Sequence, residues 1–213
     1  MKLVNRVKPQ QWLRMLSLVG LLSLPGLVMA DVHPLQQFIN QLKTFSADFV
    51  QERPEEHFFR VDRASGTFDL HRPGKMRWDY HRPEEQHILV DGVRLWVHDV
   101  DLEQVSVRPV AEIQSDIPLA WLLFDEPVES AYRIISAGNR SGMTWYNLRP
   151  RTSTFFQSIE IGLKDGVMHE VWMYQSSDNI TKVRFQNIRV NQPIPAGAFE
   201  FNLPPNADVV GQM

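Results

Sequence analysis

Cysteine is missing from all 213 residues. Its absence excludes a disulfide framework, thiolate catalysis and a thiol for lipid attachment behind a leader. The chain also lacks a Gly-x-Ser-x-Gly elbow, a phosphate-binding loop and a dinucleotide fingerprint, so the common hydrolase, nucleotide and oxidoreductase signatures are missing together. His57, His71, His81, His87, His98 and His169 form no His-x-x-x-His or Glu-x-x-His pair on a predicted helix. Alternating with apolar residues in strands, they read as solvated surface positions, not as ligands or general bases. No catalytic residue, metal site or cofactor is therefore assigned, and the chain is not read as an enzyme.

Acid is absent from the first thirty residues, where Lys2, Arg6, Lys8 and Arg14 precede an apolar run from Met15 to Val28. The run falls short of the roughly 20 residues that span a bilayer. With Val28-Met29-Ala30 as a small-residue cleavage site, residues 1–30 are predicted to be a signal peptide removed after Ala30, and residues 31–213 one mature domain. Loss of a leader with four cationic and no acidic side chains takes the formal charge from -3 to -7. An acidic mature chain repels nucleic acid and anionic headgroups, which leaves basic or apolar partners. No nucleic acid, no stable membrane insertion and export from the cytoplasm are the expectations.

Within residues 31–213, Val32, Leu35, Phe38, Ile39 and Leu42 carry the spacing of an amphipathic helix. Beyond it the period drops to two. Phe45, Ala47 and Phe49, then Phe68 and Leu70, then Met76, Trp78 and Tyr80 predict strands with one buried face. Further strands are predicted over 88–90, 93–98, 132–136, 143–148, 155–163, 167–174 and 181–190, with turns at Asp91-Gly92 and Asp165-Gly166. Ile117 to Phe124, with Pro118 in its first turn, reads as a short and nearly all-apolar helix. Some ten strands and few helices predict a mainly β (α+β) fold: an unclosed antiparallel half-barrel whose apolar concave face is covered by short helices.

Two questions stay open on spacing alone. The inward positions Phe45, Phe49, Phe68, Leu70, Met76, Trp78 and Leu95, with Leu119, Leu122 and Leu123 of the apolar helix, either fill the interior or leave a cavity. Arg72 lies in phase with Phe68 and Leu70, so it either points inward, where a guanidinium needs acceptors, or turns to water at the Pro73-Gly74 turn.

Several blocks resemble the outer-membrane lipoprotein carrier proteins, the LolA family of Gram-negative bacteria. They are Phe45-Ser46-Ala47-Asp48-Phe49-Val50-Gln51, Arg72-Pro73-Gly74-Lys75-x-Arg77-Trp78, and Pro83 and Gln86 with Ile88-Leu89-Val90-Asp91-Gly92. Leu95-Trp96 follows with Asp99, Leu102, Glu103 and Gln104, then Ile117-Pro118 with Leu122-Leu123, then Phe199-Glu200-Phe201 and the run from Pro204 to Val209. The resemblance implies a monomeric periplasmic chaperone that takes acylated lipoproteins from an inner-membrane ABC transporter, shields their acyl chains, and hands them to an outer-membrane receptor. It implies that the ten apolar residues above line an acyl-chain cavity and that Arg72 ties the helical lid shut. Met76 stands where many relatives carry another large apolar residue, and the stretch Arg53 to Arg63 reads as a loop with no role. A periplasmic lipid- or protein-binding sensor of the same fold is the alternative.

Overall fold

From Thr44 onward the alternation of apolar and polar residues is realised as one long sheet, and the few helices lie against its apolar side. The computed structural model describes residues 33–55, 60–113 and 119–211. The expected leader with its cleavage site, Val32, His57, Ile117 and Pro118 lie outside the described residues.

Helix α1 (Pro34–Gln41) comes first, its Leu35, Phe38 and Ile39 buried as the spacing requires, with Pro34 supplying the fixed φ of a helix start. Strands β1 (Thr44–Glu55), β2 (Arg60–His71), β3 (Lys75–Arg82), β4 (Gln86–Val90), β5 (Arg94–Asp99) and β6 (Gln104–Pro109) follow. Next come the short helices α2 (Val110–Ile113), α3 (Ala120–Leu123) and α4 (Val128–Ala131). Strands β7 (Tyr132–Arg140), β8 (Met143–Pro150), β9 (Ser158–Lys164), β10 (Val167–Tyr174) and β11 (Ile180–Val190) then run in sequence. A 3-10 turn (Ala196–Phe199) precedes β12 (Asp208–Gly211).

The strands order as β12-β6-β5-β4-β3-β2-β1-β11-β10-β9-β8-β7. β7 and β12 stand at opposite edges and do not meet, which leaves the barrel unclosed. The expectation of a purely antiparallel sheet needs one correction: β12 pairs with β6 in parallel. The chain crosses the outside of the sheet before adding this last strand, so it arrives in the same sense as β6. The expected loop Arg53 to Arg63 is largely strand, because Arg53, Pro54 and Glu55 pair with Asp62, Val61 and Arg60. Phe155, given to a strand by its hydrophobicity, precedes β9 and is 57% exposed.

Turn chemistry behaves as read. Asp91 Oδ1 accepts hydrogen bonds from the backbone N–H of Val93 and of Arg94, both at 2.8 Å, and closes the β4–β5 hairpin. Asp165 (φ 51) and Gly166 (φ 77) are both left-handed, the conformation that a two-residue hairpin asks of its central pair.

The core lies between the concave face and the helices. Leu35, Phe38 and Ile39 of α1 and Leu122 and Leu123 of α3 belong to one buried cluster with Phe45, Phe49, Phe68, Leu70, Met76 and Trp78 of the sheet. Leu89, Val105 and Val107 are buried outside that cluster. They lie on the convex side, where the C-terminal segment crosses and Phe201 stacks on Trp96 with ring centroids 4.6 Å apart.

Candidate functional site

Arg72 follows β2 directly, and its backbone N–H donates to the Lys43 carbonyl at 2.8 Å, which holds the β2 exit against the start of β1. The strand alternation survives the turn: the guanidinium points inward, its side chain 7% exposed. Nη1 donates to the carbonyls of Ile39 and, at 3.4 Å, Leu42. Nη2 donates to the Phe124 carbonyl at 2.8 Å and to Asp125 Oδ1 at 3.3 Å.

These acceptors explain the position of a buried cation. Ile39 sits in the last turn of α1, where its carbonyl takes only the tightened bond from the Leu42 N–H at 3.2 Å, and Phe124 directly follows α3, so both carbonyls have acceptor capacity to spare and the local dipoles favour positive charge. One guanidinium thus joins the C-terminal ends of two helices. Burial lowers the Arg72 pKa, and the Asp125 carboxylate opposes that shift from a position in solvent. Its Nε–H is buried with no acceptor among the described residues. Beside it the backbone N–H of Gly74, at φ 85, donates to the Leu123 carbonyl at 2.9 Å, so the Pro73-Gly74 turn grips α3 as well.

Asn191 holds the exit of α1. Its Nδ2–H donates to the Gln41 carbonyl at 2.9 Å, and its Oδ1 accepts from the backbone N–H of Lys43 at 2.7 Å. At the other end of α1 the His33 ring meets Tyr146 of β8 edge-on, with centroids 4.1 Å apart. Burial lowers the His33 pKa, and Glu129 of α4 works against that.

Beneath the helices lies an aromatic bed. Phe45 meets Phe185 at 5.3 Å, Phe68 meets Trp78 at 5.1 Å, and Phe49 meets Trp78 at 5.5 Å, in edge-on arrangements that suit ring quadrupoles. Tyr80 ends this bed; its hydroxyl donates to Gln51 Oε1 at 3.0 Å and burial pushes its pKa up to about 12.

Of the ten residues expected to line a cavity, Phe45, Phe49, Phe68, Leu70, Met76, Trp78, Leu119, Leu122 and Leu123 are each at most 2% exposed. Leu95 is half-buried and packs against the cluster's margin. The structure brings all ten together, but as a packed interior: five clefts of about 120–420 Å³ among the described residues are lined by other side chains. Sequence reasoning missed Asp125, His33 and Asn191, whose roles come from contacts across 53 or more positions that no local pattern announces. It also passed over β6 and β12, too short and too mixed in composition to stand out.

The sheet, lid and buried tie define a class: an unclosed β half-barrel with helices over its apolar face. A solved structure of an uncharacterised conserved protein from Thermus thermophilus shares this fold, at a TM-score of 0.53 and 11% identity, covering 84% of this chain and 99% of that one. The family model of the outer membrane lipoprotein carrier protein LolA matches residues 40–202. An outer-membrane lipoprotein carrier protein of Dechloromonas aromatica is 31% identical over 182 residues, 85% of this chain and 88% of its own length. Another from Chromobacterium violaceum is 33% identical over 180 residues, 84% of this chain and 86% of its own. The chain belongs to the LolA family of outer membrane lipoprotein carriers.

Proposed function

We propose that this protein is a periplasmic lipoprotein carrier: it receives acylated lipoproteins released from the inner membrane, covers their acyl chains with its concave face, and delivers them to an outer-membrane receptor. It carries out no bond-making or bond-breaking step. An ABC transporter on the donor side and a receptor of higher affinity on the acceptor side complete the route, and residues 1–30 serve as the export signal.

The observation that carries this reading is the buried Arg72 joining α1 and α3 above an aromatic bed. Each methylene drawn out of water is worth roughly 0.8 kcal/mol, so an acyl anchor left in solution is strongly disfavoured and a carrier must supply equivalent cover. Because the closed interior is packed, acyl chains enter only by displacing the lid, which breaks the Arg72 bonds and removes helix side chains from the sheet. The apolar surface that the lid uncovers is covered again by the cargo. Re-forming the tie then favours release, and a bias of about 1.4 kcal/mol toward the acceptor already gives a tenfold preference, with no nucleotide bound by the carrier.

The test is release of newly made lipoprotein from spheroplasts depleted of their own carrier. Addition of the purified protein is expected to bring lipoprotein into the soluble fraction as a one-to-one complex. Folded protein that releases none would leave a sensing or binding module as the function.

A further inference from the structure

Among the described residues the packed interior lacks a lined entrance of its own, but a groove of about 420 Å³ runs beside α2, α3 and α4. Its wall is also the wall of the core. Trp121 and Val128 line the groove and belong to the buried cluster, while Phe124 and Tyr132 line it and pack against that cluster. A shift of α3 would therefore join groove to interior with no further rearrangement of the sheet. α3 is built for such a shift: Leu119 enters it at φ 62, a left-handed conformation that a side chain branched beyond Cβ seldom adopts, and its exit hangs on the Gly74 and Arg72 hydrogen bonds.

Trp121 adds a chemical signature. Its indole Nε1–H is buried with no acceptor among the described residues, and the residue as a whole is 6% exposed. A donor in that state disfavours the closed form and is relieved by an arriving carbonyl oxygen. Glu112 and Glu126 on the same groove make its rim anionic, which repels phosphate headgroups and free carboxylates but leaves a neutral acyl ester unopposed.

We propose that this groove is the port by which the acylated N-terminus of a lipoprotein reaches the interior, with Trp121 Nε1–H donating to an ester carbonyl oxygen of its diacylglyceryl group. The inference rests on the carrier reading and deepens it. A hydrogen-bond donor matched to an acyl ester distinguishes this port from a merely greasy opening.

The test compares the secreted wild-type protein and Trp121→Phe, which keeps an aromatic ring and removes the N–H. The probes are a dipalmitoylglyceryl-cysteine peptide and its dialkyl ether analogue, which has chains of the same length and the same peptide but no ester carbonyls. The wild type is expected to bind the ester about tenfold more tightly than the ether, and Trp121→Phe to bind the two alike. Equal binding of both probes by the wild type, or a preference that survives in Trp121→Phe, overturns the port while leaving the carrier intact. Binding of neither probe by the wild type overturns the carrier reading, and the port with it. Dipalmitoylphosphatidylglycerol carries the same esters on a phosphate headgroup; binding as tight as that of the lipopeptide overturns the assignment to lipoproteins.

Discussion

A guanidinium withdrawn from water must find acceptors for most of its donors, and Arg72 finds them on the carbonyls of Ile39, Leu42 and Phe124. Replacing it by leucine removes these bonds while keeping an apolar filler between the helices. In Arg72→Leu the lid opens more readily, since no polar bonds have to be broken, and closure no longer regains them, each worth about 1.5–3 kcal/mol when the donor is charged. Lipoprotein is expected to enter this variant and to be delivered to the receptor at least about tenfold more slowly, measured as transfer from preformed complex. A second position sets a steric limit. Gly66 sits at a register shift in β2, where a Cβ would fall within the contact radius of the Asp79 carbonyl oxygen on β3. Gly66→Ala is expected to destabilise the sheet by about 3 kcal/mol in chemical denaturation, with a clear loss of soluble protein.

Individual elements owe their positions to contacts at their ends. Helix α1 is amphipathic by sequence, but eight residues are too few for a helix to persist in water, so docking decides whether it exists. His33 at its start is pressed against Tyr146, and burial holds its pKa below the usual 6.5 while Glu129 acts in the opposite direction. A depressed folded-state value means that protons prefer the undocked form. The contribution of His33 is therefore complete above pH 6.5 and is lost as pH falls through the lowered value. His169 on β10, lowered chiefly by burial, carries the same sign. The melting temperature is expected to drop between about pH 8 and about pH 5, and His33→Phe, which keeps the ring contact, should flatten part of that drop in thermal unfolding. Element boundaries follow the same logic. β1 and β2 run on into the stretch read as a loop, because their pairing, not their composition, sustains them.

Across the whole molecule, protection from opening should follow the sheet. β1 lies at its centre, paired over its length with β2 and from Phe45 to Glu52 with β11, whereas α2, α3 and α4 are each one turn long and rest on side-chain contacts and a few exchanged bonds. Hydrogen exchange is expected to be slowest in β1, β2 and β11 and fastest in the lid, and addition of a diacylated peptide should speed exchange in α3 without altering β1. Equal acceleration across sheet and lid would contradict an opening confined to the helices.

By itself the sequence determined the class of fold, since period-two alternation, Asp-Gly turns and one amphipathic helix are local signals that depend on neighbours within a few residues. It also determined the inward set, because strand alternation assigns Phe45, Phe49, Phe68, Leu70, Met76 and Trp78 to one face wherever the strands pair. Only the tertiary structure decided that this set packs tightly in the closed form, that Arg72 turns inward to two helix ends, and that the last strand joins in parallel. Each of those depends on which distant carbonyl, ring or edge occupies a given volume, and a chain of residues carries no local record of that.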